Sequence, residues 1–289
     1  MTTTTTSFRK YVSIPAAWIL LVLAISSLPD DCRAYKKDSI FHAVSRHGKA
    51  KASKPVLPGP WKKAHATFYD GSPSSFDGGG ACDFKDVVQE GYGMNTAALS
   101  GALFKGGEAC GACFELKCVD NPQFCRLGHP TLHVTATDHC PPNPSLPNDN
   151  GGWCNPPLEH FDIAHPAFGQ LAEEKSGIIP VEYRRVPCQK RGGIRFTILG
   201  NPWFIQVIVT NVAGAGDVKS VMVKGDKVPW TRMERDWGET WKTGVHELVG
   251  ESLTFRVKTT DGRSCTAWHV APKDWQFGQT YEGKKNFRM

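Results

Sequence analysis

The chain has 289 residues, enough for two ordinary domains. Hydrophobic residues make up 40% of it and charged residues 21%, which excludes the low hydrophobicity and high charge of a disordered protein. The formal net charge is +6, and residues 35–63 alone contribute +7, from eight Lys or Arg residues and one Asp. Because no recognised nucleic-acid-binding motif accompanies this charge, we expect no nucleic-acid partner.

The first segment, residues 1–34, is predicted to be a signal peptide. Arg9 and Lys10 precede an apolar run over residues 16–25, and Ala34 is a small residue suited to cleavage. A membrane anchor is the alternative, but a spanning helix takes about 20 apolar residues and this run is half as long. We therefore expect a secreted, extracellular protein that is soluble after processing.

Residues 35–63 form the next segment, which is rich in Lys, Ser, Gly and Pro. This composition predicts a flexible extension with no core of its own. A basic run of this kind is usually a solvated arm. The sharper hypothesis is an arm that binds an acidic matrix such as pectin, or a membrane surface.

Residues 64–200 have the pattern of a β-rich domain with long loops. Short runs with a two-residue period, such as 114–118 and 132–137, are separated by frequent Gly and Pro. Short helices are expected over 92–104 and 166–175.

The cysteines are concentrated in this domain, since eight of the ten lie between Cys82 and Cys188. In an exported chain they predict disulfides, and the zinc-like spacing of Cys110, Cys113 and Cys118 is the weaker alternative. The pairing stays open at this point, because eight cysteines allow 105 connectivities. The other two differ, since Cys32 would leave with the signal peptide and Cys265 would then be unpaired.

Residues 201–289 have a different texture, which predicts a small β-sandwich. Residues 203, 205, 207 and 209 are apolar positions of one strand face, apolar and polar residues alternate over 253–258, and Asp261 and Gly262 form a strong hairpin-turn signal. We place the domain boundary near Gly200.

The motifs of both halves together resemble the plant expansins of the α type, over about residues 64–283. They include AHATFY at 64–69, GGWCNPP at 151–157 and HFD at 160–162. The other matching segments are residues 79–82, 91–100, 110–114, 183–188, 191–196, 209–212, 214–218 and 275–281. Any one motif is weak, but their number and order make a chance resemblance very improbable.

This resemblance implies an all-β protein, with a double-psi β-barrel related to family-45 glycosidases followed by an immunoglobulin-like β-sandwich that binds cellulose. It implies the disulfides Cys82–Cys110, Cys113–Cys188, Cys118–Cys125 and Cys140–Cys154. It also implies a protein of the plant cell wall that loosens walls at acidic pH without hydrolysis. Such a protein disrupts non-covalent contacts between cellulose and matrix glucans of the xyloglucan class. We expect a monomer without cofactor or metal.

The resemblance places Thr67, Tyr69, Asp138 and Asp162 in the polysaccharide groove of the barrel. Asp162 matches the general acid of the related glycosidases, and an acid in an aromatic, partly dry site has a raised pKa and can hold a proton. Its alternative role is to cap a helix over residues 164–175.

The departure that bears on chemistry is Asp70, which stands where the α-type pattern has Gly, one residue from the position of the glycosidase base. Because side chains alternate along a strand, Asp70 is expected on the opposite face, as a solvated turn residue. Asp77 is a second departure and is expected to be a loop acid. These two acids keep a weak family-45-like endo-β-glucanase, with Asp162 as acid, as the alternative function. A barwin-like lectin that only binds sugar is the third.

In the second domain we expect exposed tryptophans to bind cellulose, because the apolar face of a pyranose packs on an aromatic ring. The candidates are Trp237, Trp241 and Trp230, and the first two would share a face if their segment is extended. A separate group, His133, His139, His160 and His165, lacks a persuasive ligand spacing, and structural or groove-polar roles are favoured over a metal site.

Overall fold

The computed structural model describes Cys32, residues 57–70 and residues 80–288. The predicted signal peptide other than Cys32, residues 35–56 of the predicted extension and Asp77 lie outside these residues. In the described part of the chain, no helix is long and apolar enough to cross a membrane.

The first domain is a closed six-stranded barrel with the strand order β1-β5-β2-β4-β3-β6. Its strands are β1 Lys62–Tyr69, β2 Thr96–Ser100, β3 Cys113–Cys118, β4 Thr131–Cys140, β5 His160–Ala164 and β6 Ile179–Arg185. The pairs β1–β5 and β2–β4 are parallel, and the other neighbours are antiparallel. Two four-residue helices, α1 Gly101–Phe104 and α2 His165–Phe168, follow β2 and β5. Alternate side chains of the strands fill the interior, as Ile179, Val181 and Tyr183 do in β6.

The second domain is a two-sheet sandwich, with one sheet in the order β10-β9-β13-β14 and the other in the order β11-β12-β8-β7-β15. Its strands are β7 Arg195–Asn201, β8 Phe204–Thr210, β9 Val218–Lys224, β10 Thr231–Arg232, β11 Glu234–Trp237, β12 Thr240–Thr243, β13 Leu253–Thr259, β14 Ser264–Ala271 and β15 Thr280–Glu282. The core lies between the sheets, where Phe196 stacks on Phe255 with ring centroids 4.7 Å apart.

The second domain begins earlier than the expected boundary at Gly200. Strand β7 starts at Arg195 and pairs with β8, so residues 195–200 belong to the sandwich. Gly200 lies in this hairpin with a φ of +103°, and a Cβ there would fall 2.0 Å from the Phe204 oxygen. Only glycine fits this hairpin turn. In the sequence, the same glycine resembles the start of a linker between domains. Strand β1 likewise begins at Lys62, inside the predicted extension.

The predicted helices are much shorter in the structure than expected. Residues 96–100 of the first predicted helix form strand β2, which is buried at every position and so has no amphipathic pattern. Of the second, the α-helix covers only residues 165–168, and a short 3-10 turn spans Glu174–Ser176.

The structure contains the four disulfides that the resemblance implies, Cys82–Cys110, Cys113–Cys188, Cys118–Cys125 and Cys140–Cys154. A fifth bond joins Cys32 to Cys265 in β14. Cys265 is therefore paired in the chain that keeps Cys32, whereas we expected it to be unpaired after Cys32 is removed.

Barrel and sandwich are joined tightly. Cys188 lies between β6 and β7 and is bonded to Cys113 of β3. Arg185 forms an ion pair with Asp217 of the sandwich at 2.8 Å. A Cβ on Gly216 would lie 2.1 Å from the oxygen of Gly111, so the two backbones meet with no room for a side chain.

Candidate functional site

Three of the four predicted groove residues, Thr67, Asp162 and Asp138, lie in one row across four barrel strands. Thr67 of β1 pairs with Asp162 of β5, and Asp162 pairs with Ala98 of β2. Ala98 pairs in turn with Asp138 of β4. The small Ala98 side chain thus separates the two carboxylates, which lie two strand spacings apart, about 10 Å between their backbones. The structure therefore brings together residues that are up to 95 positions apart in the chain.

Asp162 is a half-buried acid in the middle of this row. Its Oδ1 accepts a hydrogen bond of 2.8 Å from the Thr67 hydroxyl. Burial raises the pKa of the Asp162 carboxyl, and the charge of Asp138 raises it further, against the opposing effect of the Thr67 hydrogen bond. The alternative role as a helix cap is wrong, because Asp162 lies inside β5 and α2 begins after Ala164.

His160 lies in β5, two residues before Asp162, and is buried. From the sequence alone, we expected only a structural role or a polar role in the groove. Its Nε2 lies 2.8 Å from Thr67 Oγ1. Burial, and then the nearby His65, lower the pKa of the His160 ring to about 4, so the ring is neutral at mildly acidic pH. Because the Thr67 proton goes to Asp162, the neutral ring donates from Nε2 to the Thr67 oxygen. Its buried Nδ1 has no hydrogen-bond partner among the described residues.

Asp138 is a half-buried carboxylate held by backbone donors. Its Oδ1 accepts from the N–H groups of Ala81 and His139, at 2.6 Å and 2.8 Å. Gly80 closes over it with a φ of +59°, and a Cβ there would lie 2.8 Å from the Asp138 Cγ. The loop that contains Gly80 and Ala81 therefore fixes Asp138 as a hydrogen-bond acceptor.

Tyr69 lies two residues beyond Thr67 in β1 and shares its face of the strand. Its hydroxyl is 3.4 Å from the Thr96 hydroxyl. Burial raises the pKa of Tyr69 to about 12, and the charges of Asp138 and Asp162 act in the same direction. Tyr69 is therefore a neutral phenol near both acids, able to donate one hydrogen bond and to offer a ring face.

Asp70 follows the last residue of β1 and is exposed to solvent. This exposure agrees with the expectation of a solvated residue, and its place on the face opposite Tyr69 stays a prediction. The row of groove side chains ends in β1 at Tyr69, one position before this carboxylate.

Trp241 is not a surface residue, which corrects its prediction as a cellulose-binding side chain. It is 3% exposed and belongs to the sandwich core. Its indole N–H donates to Glu239 at 3.3 Å, and the Arg235 guanidinium lies over its ring at 4.4 Å. Trp237 and Trp241 also lie on two different strands, β11 and β12, so they do not share the face of one extended segment.

Exposed aromatic surface is also found beside the other sheet. Trp230 is half-buried beside Trp268 of β14, with ring centroids 6.1 Å apart, and Trp268 is 50% exposed. The Arg256 guanidinium lies 4.3 Å from the Trp230 ring and supports it. Sequence analysis named Trp230 but not Trp268. The signal that could have identified Trp268 is that it lies outside the alternating positions of β14 that fill the core. Within the ranges that the structure describes, no group of His, Cys, Asp and Glu could hold a metal ion.

Comparison with known proteins gives matches to both domains. Residues 194–272 match the model of the expansin C-terminal domain, and residues 96–183 match the lytic transglycolase model. Expansin-A32 of Oryza sativa subsp. japonica is 59% identical over 242 residues, which cover 83% of this chain and 87% of the rice protein. Expansin-A25 of Arabidopsis thaliana is 46% identical over 231 residues, covering 80% and 82%.

The chain belongs to the α-expansin family. It is therefore a cell-wall-loosening protein that does not hydrolyse the wall, and nothing in these relatives favours the glucanase alternative. Among solved structures, the apo expansin of Clavibacter michiganensis has a TM-score of 0.60 at 19% identity and covers 80% of this chain and 99% of its own. A point mutant of that bacterial expansin, solved in complex with cellohexaose, has the same TM-score at 18% identity. At these identities the likeness establishes the fold of this expansin.

Proposed function

We propose that this expansin holds one β-glucan chain in the barrel groove while the sandwich binds cellulose. By holding the glucan there, it disrupts the non-covalent contacts between cellulose and matrix glucans of the xyloglucan class. The groove contacts come from Thr67, Tyr69, Asp138 and Asp162. No glycosidic bond is broken in this process, and Asp162 works as a hydrogen-bond and proton donor.

The observation that carries this proposal is the half-buried acid Asp162, whose pKa is raised by burial and by Asp138 and whose Oδ1 already accepts from Thr67. In the protonated form the carboxyl proton therefore lies on Oδ2, where it can be donated to a glucan hydroxyl or bridging oxygen. Asp138, fixed by Ala81 and His139, accepts from another glucan hydroxyl. A donor and an acceptor at a fixed spacing replace the hydrogen bonds that one glucan makes with another.

Cellulose binding by the sandwich rests on Trp230 and Trp268. The exposed ring of Trp268 offers an apolar face to a pyranose, and Trp230 is held beside it by Arg256. The complex of the bacterial expansin mutant with cellohexaose supports a cello-oligosaccharide as the ligand class.

The sequence and the family support a proposal for where the protein acts. We propose that it is secreted through residues 1–34 into the plant cell wall and acts there as a monomer. The +7 charge of residues 35–63 provides a contact with acidic pectin.

The test is the extension of heat-killed walls under load by purified wild-type protein and by Asp162→Asn. Wild-type extension should increase as the pH falls through the raised pKa of Asp162, because the neutral acid is the active form. In Asp162→Asn the extension should fall strongly, since the amide cannot release a proton, and its pH dependence should disappear.

Asp70→Asn is the matched control, because it removes an exposed carboxylate next to the groove and should extend walls like the wild type. Release of new reducing ends from β-glucan should remain at background for all three proteins. An Asp162→Asn variant with wild-type extension and wild-type pH profile would overturn the proposal.

A further inference from the structure

A cavity lies beside the groove, on the same outer face of the barrel. In β1, Ala64 and Ala66 fill the barrel interior, so Lys63, His65 and Thr67 lie on the outer face. The cavity has a volume of about 570 Å³, within the range of about 300–1,000 Å³ that is usual for ligand pockets. His65 lines it and lies about 7 Å from Thr67 along the strand. The cavity therefore begins one row of side chains away from the groove.

The strand register shows how this second row adjoins the groove. Thr67 pairs with Asp162, and His65 pairs with His160 in the same two strands. On its other side, His65 pairs with Pro180 of β6, which also lines the cavity. His160 Nε2 is 2.8 Å from Thr67 Oγ1, so the two rows are in direct contact. A ligand group that leaves the groove at Thr67 can therefore reach the cavity by passing the exposed side chain of His65.

The direction of the cavity differs from that of the groove. Thr67, Asp162 and Asp138 are spread across the strands, at one level of the sheet. The cavity is displaced from them along β1, from His65 to Lys63. A polymer that follows the groove row therefore has the cavity at its side, approximately at a right angle to its own direction.

The lining of the cavity combines apolar surface with polar groups of both kinds. Pro157, Leu158 and Pro180 provide apolar surface. Lys63 is an exposed donor and Asp120 an exposed acceptor, so hydroxyl groups in either role find a partner. Because these two charges have opposite signs, the cavity favours a neutral polar ligand over an anion. A sugar ring, with an apolar face and a rim of hydroxyl groups, has this character.

We infer that this cavity binds a neutral sugar branch of the β-glucan whose backbone lies in the groove. This inference rests on the proposed function of the groove. A branch starts on a backbone sugar and extends to the side, so its site must lie beside the groove row and be continuous with it. The contact between His160 and Thr67 gives that continuity, and the register of β1 gives the lateral position.

The cavity divides the two polymers between the two domains. Cellulose has no branches and would leave the cavity empty, whereas a branched matrix glucan fills it. The groove should therefore prefer the matrix glucan, while the sandwich binds cellulose through Trp230 and Trp268.

The inference is tested by titration calorimetry of the full-length secreted protein with two soluble oligosaccharides of equal backbone length. One is an unbranched cello-oligosaccharide, and the other is a xyloglucan oligosaccharide with neutral side-chain sugars. The wild type should bind the branched ligand about tenfold more tightly, equivalent to about 1.4 kcal/mol, or roughly one net hydrogen bond.

Lys63→Trp fills the cavity from an exposed strand position that accepts an aromatic residue. It should lower the affinity for the branched ligand to that for the unbranched one, and its unchanged affinity for the unbranched ligand would show that the groove is intact. Lys63→Met removes the ammonium donor without filling the cavity and should lose about threefold of the preference. Lys62→Trp is the matched control, because Lys62 is the adjacent exposed residue of β1 and lines a different cavity. It should keep the wild-type preference.

The outcomes separate this inference from the groove proposal. If the wild type binds both ligands but the branched one no more tightly, or if Lys63→Trp keeps the full preference, the inference fails while the groove stands. If the wild type binds neither ligand, the groove proposal fails and this inference with it.

Discussion

The Thr67 hydroxyl connects two titratable groups whose neutral forms are favoured by burial. Burial disfavours the charged form of either type, so it lowers the pKa of His160 and raises that of Asp162. The resulting hydrogen bonds have one direction, from the His160 N–H to Thr67 and from Thr67 to Asp162. Asp162 is therefore oriented by a chain of two neutral donors, the His160 ring and the Thr67 hydroxyl.

The lowered pKa of His160 predicts a loss of stability in acid. Its folded-state pKa is about 4 and its ordinary value 6.5, so between these values the unfolded chain binds a proton that the folded protein does not. This contribution to the unfolding free energy is fully present above pH 6.5 and is lost as the pH falls to about 4. His160→Gln keeps an N–H donor for Thr67 and should remove this part of the pH dependence.

The measurement is urea unfolding at pH 7 and pH 4.5 for the wild type and His160→Gln. His246→Gln is the control, since His246 is exposed and its replacement should leave the wild-type slope unchanged. Equal slopes in all three proteins would show that His160 is not the group responsible.

For single residues, the sequence identifies Asp162 as the acid of the groove but does not specify the side chains that surround it. The HFD motif marks Asp162, and the resemblance adds Thr67 and Tyr69. The hydrogen bond between Thr67 and Asp162 depends on the parallel pairing of β1 with β5, which no local pattern specifies. His160 belongs to the same motif, but its neutrality follows from burial, which only the fold provides.

The two strands β11 and β12 explain why one tryptophan prediction failed. The segment from Trp237 to Trp241 has the spacing of a single extended strand, but the chain turns at Gly238, which has a φ of +50°. The turn places Trp237 at the surface and Trp241 in the core. A period-2 pattern predicts faces only within one strand, so the missed turn reversed the outcome for Trp241. The all-β class and the strand patterns of β3, β4 and β13 were predicted, because their alternation is not interrupted in this way.

Because Trp241 is buried and Trp268 is exposed, replacing each of them by alanine should have opposite effects on stability and on cellulose adsorption. Trp241→Ala removes a buried ring from the sandwich core and should lower the unfolding free energy by about 3–5 kcal/mol. Trp268→Ala removes an exposed ring and should leave stability nearly unchanged. It should weaken adsorption to cellulose about fivefold, since one aromatic contact contributes about 1 kcal/mol.

Chemical denaturation and a cellulose pull-down isotherm, run on both variants, check this. Reduced cellulose adsorption by a Trp241→Ala protein that remains as stable as the wild type would contradict the burial of Trp241. Unchanged adsorption by Trp268→Ala would remove Trp268 from the cellulose-binding surface.

For the whole molecule, the fifth disulfide predicts a consequence of processing. Cys265 is 1% exposed in the sandwich core and is bonded to Cys32 in the chain that keeps that residue. If the signal peptide is removed after residue 34, as predicted, the secreted protein should contain one buried thiol. Alkylation followed by intact-mass measurement should detect one modified cysteine after denaturation and none in the native protein. A denatured secreted protein without a reactive thiol would place cleavage before Cys32.

The connection between the domains has a mechanical consequence. Nine residues separate β6 from β7, and Cys188 within them is bonded to the barrel. The contact of Gly111 and Gly216 adds a second connection, so among the described residues the barrel and the sandwich are held together at more than one point. We expect the tension already present in the loaded polymers to supply the movement, while the protein lowers the friction between them.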